Sequence, residues 1–123
     1  MSTQHDICFV TVGDRKTADA ISQGLLRERL AACVSAVPGL ESSYWWKDSI
    51  QKSAEILLII KTRRTLRPDI IQFVKKHHPY AVPETVFAKI DAASREYLEW
   101  LGANTLFTTN IPQDKPLEGK INI

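Results

Sequence analysis

Residues capable of chemistry gather at one place, His77-His78-Pro79-Tyr80-Ala81-Val82-Pro83-Glu84. Adjacent imidazoles are followed by two prolines and a carboxylate. Neutral imidazole nitrogen is a ligand for copper(II) and zinc, and carboxylate oxygen can complete such a set. Each proline fixes its own φ and pushes the preceding residue out of the helical region, so the linker is stiff and extended. Two roles fit. His77, His78 and Glu84 could be metal ligands held on a rigid connector. The residues alone favour the plainer role, in which the histidines close a helix, since imidazoles near a helix C-terminus hydrogen-bond its last carbonyls and suit its partial negative charge. Adjacent residues at a helix end point in different directions, so one chain offers both rings to one ion only with difficulty, and water or a neighbouring subunit would have to complete the site.

Other chemistry is sparse. The chain has no phosphate-binding loop, dinucleotide glycine fingerprint, Cys-x-x-Cys, His-Glu-x-x-His or nucleophile elbow. Gly13-Asp14-Arg15 supplies an arginine without a glycine-rich cradle, a poor match to acyl-phosphate chemistry. No enzymatic activity is expected.

These residues must be positioned by elements that the hydrophobic pattern predicts. Ile7–Val12 is a β-branched and aromatic run, a buried strand. Asp14 caps a helix whose apolar face is Ala18, Ile21, Leu25 and Leu26. Leu30 to Trp46 is extended and interrupted by Pro38-Gly39, which predicts an edge strand with a bulge. Lys47-Asp48-Ser49 reads as a hairpin tip. Ser53 to Thr62 is continuously apolar, as in a central strand covered on both faces. Thr65 opens a second helix with Pro68 in its first turn and Leu66, Ile70, Phe73 and Val74 inward. Thr85–Ile90 is a strand, and Ser94 caps a short helix ended by Gly102. A further strand is expected at Thr105–Thr109. The order strand, helix, strand, strand, helix, strand is the split β-α-β-β-α-β plan, an α+β ferredoxin-like sandwich with a short C-terminal helix.

In that plan the first and third strands are central. Cys8 and Cys33 then lie on strands that are not neighbours, so no bridge joins them. Cys8 should be buried, and Cys33, at the start of an edge strand, partly accessible. The second strand and its hairpin overhang the sheet. Such a ribbon needs a cover. Tyr44, Trp45 and Trp46 near its tip suit either cross-strand packing or a protein contact, and another subunit is the simplest cover.

The 123 residues, 44% hydrophobic, fit one domain with a real core, and the charges, net +2, are interleaved. No basic stripe and no aromatic RNA-binding signature mark a nucleic-acid partner. No apolar run is long enough for a membrane span, and the polar start, Met1 to Asp6, lacks a signal-peptide pattern. Two cysteines make no disulfide framework. A cytoplasmic location is expected.

Five motifs, in order, carry a resemblance over about residues 7 to 102: Glu28-Arg29-Leu30-Ala31-Ala32-Cys33-Val34; Ser43-Tyr44-Trp45-Trp46; Glu55 with Leu58 and Lys61-Thr62; His78 to Glu84; and Tyr97-Leu98-Glu99-Trp100-Leu101. The sequence closely resembles the CutA family of divalent-cation-tolerance proteins. The resemblance implies a ferredoxin-like fold similar to PII signalling proteins and a tight homotrimer through the long second and third strands. It also implies a response to copper or other divalent cations, with copper binding attributed to bacterial members and no catalytic activity. Tyr44, Trp45 and Trp46 become expected trimer-interface residues, and copper(II) or another divalent cation the expected ligand of His77, His78 and Glu84. An alternative is a PII-like signalling or small-ligand module using clefts between subunits. Two positions depart from the family: Ala81 stands where a linker Glu is frequent, and Val10 where some members have a cysteine. The tail, residues 103 to 123, lies beyond the resemblance.

Overall fold

The structure, a computed structural model, describes residues 3–106. The order is β1 (His5–Val12), α1 (Arg15–Arg27), β2 (Cys33–Trp46), β3 (Ser49–Arg63), α2 (Arg67–His77), β4 (Val86–Lys89) and α3 (Arg95–Ala103). The four strands form one sheet in the order β2-β3-β1-β4, with every pair antiparallel. This is the ferredoxin-like α+β plan, with β1 and β3 central.

Period-two alternation sorts β1 between two faces. Cys8, Val10 and Val12 are buried, while Ile7, Phe9 and Thr11 are half-buried. The buried set joins Leu58 and Ile60 of β3 and Ala18, Ile21, Leu25, Ile70 and Val74 of the two long helices in one core. Asp14 accepts a hydrogen bond from the Thr17 N–H at 2.7 Å and starts α1 as its sequence indicates. The Asp14 carboxyl sits below its usual range, chiefly because of that backbone bond. Gly24 lies so close to Phe73 that an added Cβ would fall 2.3 Å from the ring. Small size there lets α1 and α2 approach.

Local differences from the sequence reading have local causes. A short 3-10 turn, Arg64–Leu66, precedes α2, so the helix proper begins at Arg67 rather than Thr65. Helix α3 runs past Gly102 to Ala103. Gly102 instead admits the Arg63 side chain, which donates to its carbonyl at 2.6 Å; a Cβ there would meet that guanidinium at 3.1 Å. Strand β3 begins at Ser49, not Ser53, because pairing continues to Trp46↔Ser49 at the tip. Lys47 and Asp48, both with positive φ, make the two-residue turn between them. The bulge falls between Val37 and Leu40, with Gly39 at φ +83°. Of the strand expected at Thr105–Thr109, Thr105 and Leu106 are not in a strand, and the rest lies outside the described residues.

Cys8 and Cys33 are free thiols on strands separated by β3, as expected. Cys33 is buried rather than partly accessible. Its side chain lies on the face partly covered by α3, beside Lys61, whose ammonium nitrogen is 4.0 Å from the sulfur.

The face of the sheet opposite α1 and α2 is apolar and incompletely covered. Ile7, Phe9, Leu57 and Ile59 are half-buried there, with Val37 and Val86 exposed beside them by register. The continuous hydrophobicity of β3 therefore does not reflect full burial within one chain.

Candidate functional site

Helix α2 ends at His77, and His78 is its C-cap, bonding its N–H to the Val74 carbonyl at 2.8 Å. Pro79 holds His78 extended, at ψ 132°, which turns its ring under the sheet end. The ring is buried. Its Nδ1 accepts the Tyr80 N–H at 3.2 Å, so the ring proton is on Nε2, which donates to the Thr11 carbonyl at 2.7 Å. Both nitrogens of His78 are thus spent on the protein, not displayed to an ion. His77 is exposed and rests its ring on Phe73, with centroids 4.3 Å apart. Glu84 is exposed at the end of the linker. The three residues share the linker but do not converge: among the described residues, no three His, Cys, Asp or Glu side chains gather within one chain to hold a metal ion.

Tyr80 ties the linker to the sheet. Its hydroxyl donates to Glu55 of β3 at 2.9 Å, and its ring stacks obliquely on His78, centroids 4.4 Å apart. Gly13 leaves room for it, since a Cβ would come 2.9 Å from the hydroxyl oxygen. Burial first, and the Glu55 bond next, push the Tyr80 phenol up to about 12. Glu55 is 8% exposed. Its other oxygen has no hydrogen-bond partner among the described residues.

Beside this network lies an open cleft of about 690 Å³, whose walls include Glu55, Tyr80 and Glu84 on one side and Tyr44, Trp45 and Trp46 on the other. The ribbon residues expected at a subunit contact are exposed: Tyr44 at 42%, Trp45 at 72% and Trp46 at 43%.

Sequence reasoning missed a second buried polar cluster. Asp6 is fully buried and accepts bonds from Arg64, at 3.0 Å, and from Arg67. Next to it His5 is buried, with neither ring nitrogen bonded among the described residues. A charge inside an otherwise apolar strand is the signal that marks Asp6, and likewise Glu55 ahead of Ile56–Ile60.

The topology defines a ferredoxin-like domain of the kind seen in ion-tolerance proteins, and the family model "CutA1 divalent ion tolerance protein" matches residues 7–104. The chain belongs to that family. It is 43% identical over 100 residues to the divalent-cation tolerance protein CutA of Thermus thermophilus, covering 81% of this chain and 97% of that protein. It is 42% identical over 99 residues to the chloroplastic protein CutA 1 of rice, covering 80% of this chain but only 56% of the relative. Among solved structures, CutA1 from Oryza sativa aligns with a TM-score of 0.84 at 39% identity, over 87% of this chain and 98% of that one. The Thermus thermophilus structure gives 0.80 at 42% identity, over 82% and 98%. The family is named for tolerance of divalent ions rather than for a reaction. Among the described residues no helix is long and apolar enough to cross a membrane.

Proposed function

We propose that this chain acts, without catalysis, as a homotrimer in the response to divalent cations, binding copper(II) or a similar ion with modest affinity. The observation that carries the assembly is the apolar sheet face opposite α1 and α2, which continues into an exposed ribbon bearing Trp45, Trp46 and Ile50. A monomer rarely leaves so large a contiguous apolar surface in water. Placing β2 and β3 of one copy against the next covers Ile7, Phe9, Leu57 and Ile59 and takes the rings of Tyr44, Trp45 and Trp46 into the contact. The free thiols suit a reducing compartment, and the reading places the protein in the cytoplasm.

For the ion, His77 and Glu84 are the first ligands proposed, being exposed at the two ends of the linker. His78 joins them only by giving up its bonds to Thr11 and Tyr80. Because one chain gathers too few donors, water or a neighbouring copy completes the site, and modest affinity follows. Copper(II) titration of the wild type, His77→Ala and Glu84→Gln tests this. Each substitution should weaken binding while the assembly persists, and binding should weaken on acidification because protons compete for imidazole. Equal binding by all three proteins would place the ion elsewhere.

A further inference from the structure

The geometry points to a binding site for an organic ammonium ion in the cleft bounded by Glu55, Glu84 and Tyr80 on one wall and Tyr44, Trp45 and Trp46 on the other. Three observations converge on that ligand class. The first is charge. The whole chain carries 16 Lys and Arg against 14 Asp and Glu, yet among the described residues the lining of this cleft holds two carboxylates and no Lys, Arg or His. The second is Glu55. It is more than nine-tenths buried, and Tyr80 fills one acceptor oxygen while the other lacks a partner among the described residues. An ionised carboxylate accepts at both oxygens, and because Glu55 lines the cleft and its second oxygen is not sealed in the interior, that oxygen is open to a donor carried by a ligand. The third is the wall of aromatic rings. Ring faces attract weakly hydrated cations such as alkylammonium ions.

The same features disfavour a bare divalent ion here. Such ions need four or more oxygen, nitrogen or sulfur donors at short range, and the aromatic rings contribute none. An ammonium group needs only the carboxylates for its N–H bonds, while its apolar substituent lies against the rings. The phenol of Tyr80 stays protonated and donates to Glu55, so it orients the carboxylate without competing for the cation. The volume, about 690 Å³, is that of a small-molecule site. The cleft is formed by residues of one chain; Glu84 is shared with the proposed copper site, and Tyr44, Trp45 and Trp46 with the proposed subunit contact, so Glu55 and the His77→Ala control separate this reading from the other two.

The test uses phenethylammonium as the probe, with neutral 2-phenylethanol as its isostere, in calorimetric titrations of the full chain as it assembles. The wild type should bind phenethylammonium saturably. The alcohol, and the ammonium ion with Glu55→Gln, should bind about tenfold more weakly, the effect of one charge-assisted contact. Glu84→Gln, at an exposed position, should also weaken binding, which guards against a folding defect in the first variant. His77→Ala should leave the ammonium affinity unchanged while it weakens copper(II). No saturable binding below about 10 mM, equal affinity for the alcohol, indifference to both Glu substitutions, or a parallel loss in His77→Ala would each overturn the assignment.

Discussion

The hydroxyl of Tyr80 donates to Glu55 at 2.9 Å and thereby joins the proline-stiffened linker to the start of the apolar run in β3. Tyr80 also bonds through its N–H to His78, which bonds Thr11 of β1. Three segments far apart in sequence are fixed by this short relay. Replacing Tyr80 with Phe removes the one donor to the Glu55 carboxylate among the described residues, and it should cost about 1–3 kcal/mol of stability. Thermal or denaturant unfolding reads that loss directly. No change would mean that water satisfies Glu55 equally well.

How much of this was legible in the sequence depended on range. The Asp14 and Ser94 caps are local events, bonding Thr17 and Tyr97 three residues on, and each was readable from type and position. So were the bulge at Pro38-Gly39 and the stop at His77, since proline acts on its immediate neighbours. The Tyr80–Glu55 bond spans 25 residues and the Asp6–Arg64 pair 58, and no periodicity encodes either. His78 shows the same boundary. Its place at a helix end was readable, but its burial under Thr11 follows from the packing of the linker on β1. The run in β3 was read as covered on both faces; within the chain only one face is.

Cys8 is fully buried, and its thiol is pushed up to about 12, first by burial and then by the nearby Asp6 and Glu84 carboxyls. Thiolate is the reactive form, so native Cys8 should resist alkylation until the protein unfolds. Cys33, also buried, should react slowly. Mass spectrometry after brief labelling separates the two, and rapid modification of Cys8 would contradict its placement in the core.

Acid should destabilise the protein through His5. Burial lowers its proton affinity from the ordinary 6.5, and Arg63 and Arg64 lower it further, while Asp6 partly opposes them. Because the folded value is the lower one, the unfolded chain binds more protons between the two values, and stability falls with pH across that window. The loss begins near pH 6.5 and levels off once the folded-state value has been passed. Replacing His5 with Phe should flatten that limb in unfolding curves recorded across acid pH. An unchanged limb would assign it to other groups.

Trp45, 72% exposed in the single chain, should tolerate Trp45→Asp without unfolding. If the ribbon forms the subunit contact, the substitution should raise the concentration needed for assembly by about tenfold or more, as expected for an interface aromatic. Circular dichroism confirms the fold, and sedimentation at graded concentrations reads the assembly. Unaltered assembly would exclude Trp45 from the contact.

Static light scattering on the purified wild-type chain at micromolar concentration tests the trimer most directly. The proposed trimer predicts a particle of three times the 13.9 kDa chain mass. A stable particle of 13.9 kDa would leave Phe9, Ile59 and Trp45 in water and contradict the account.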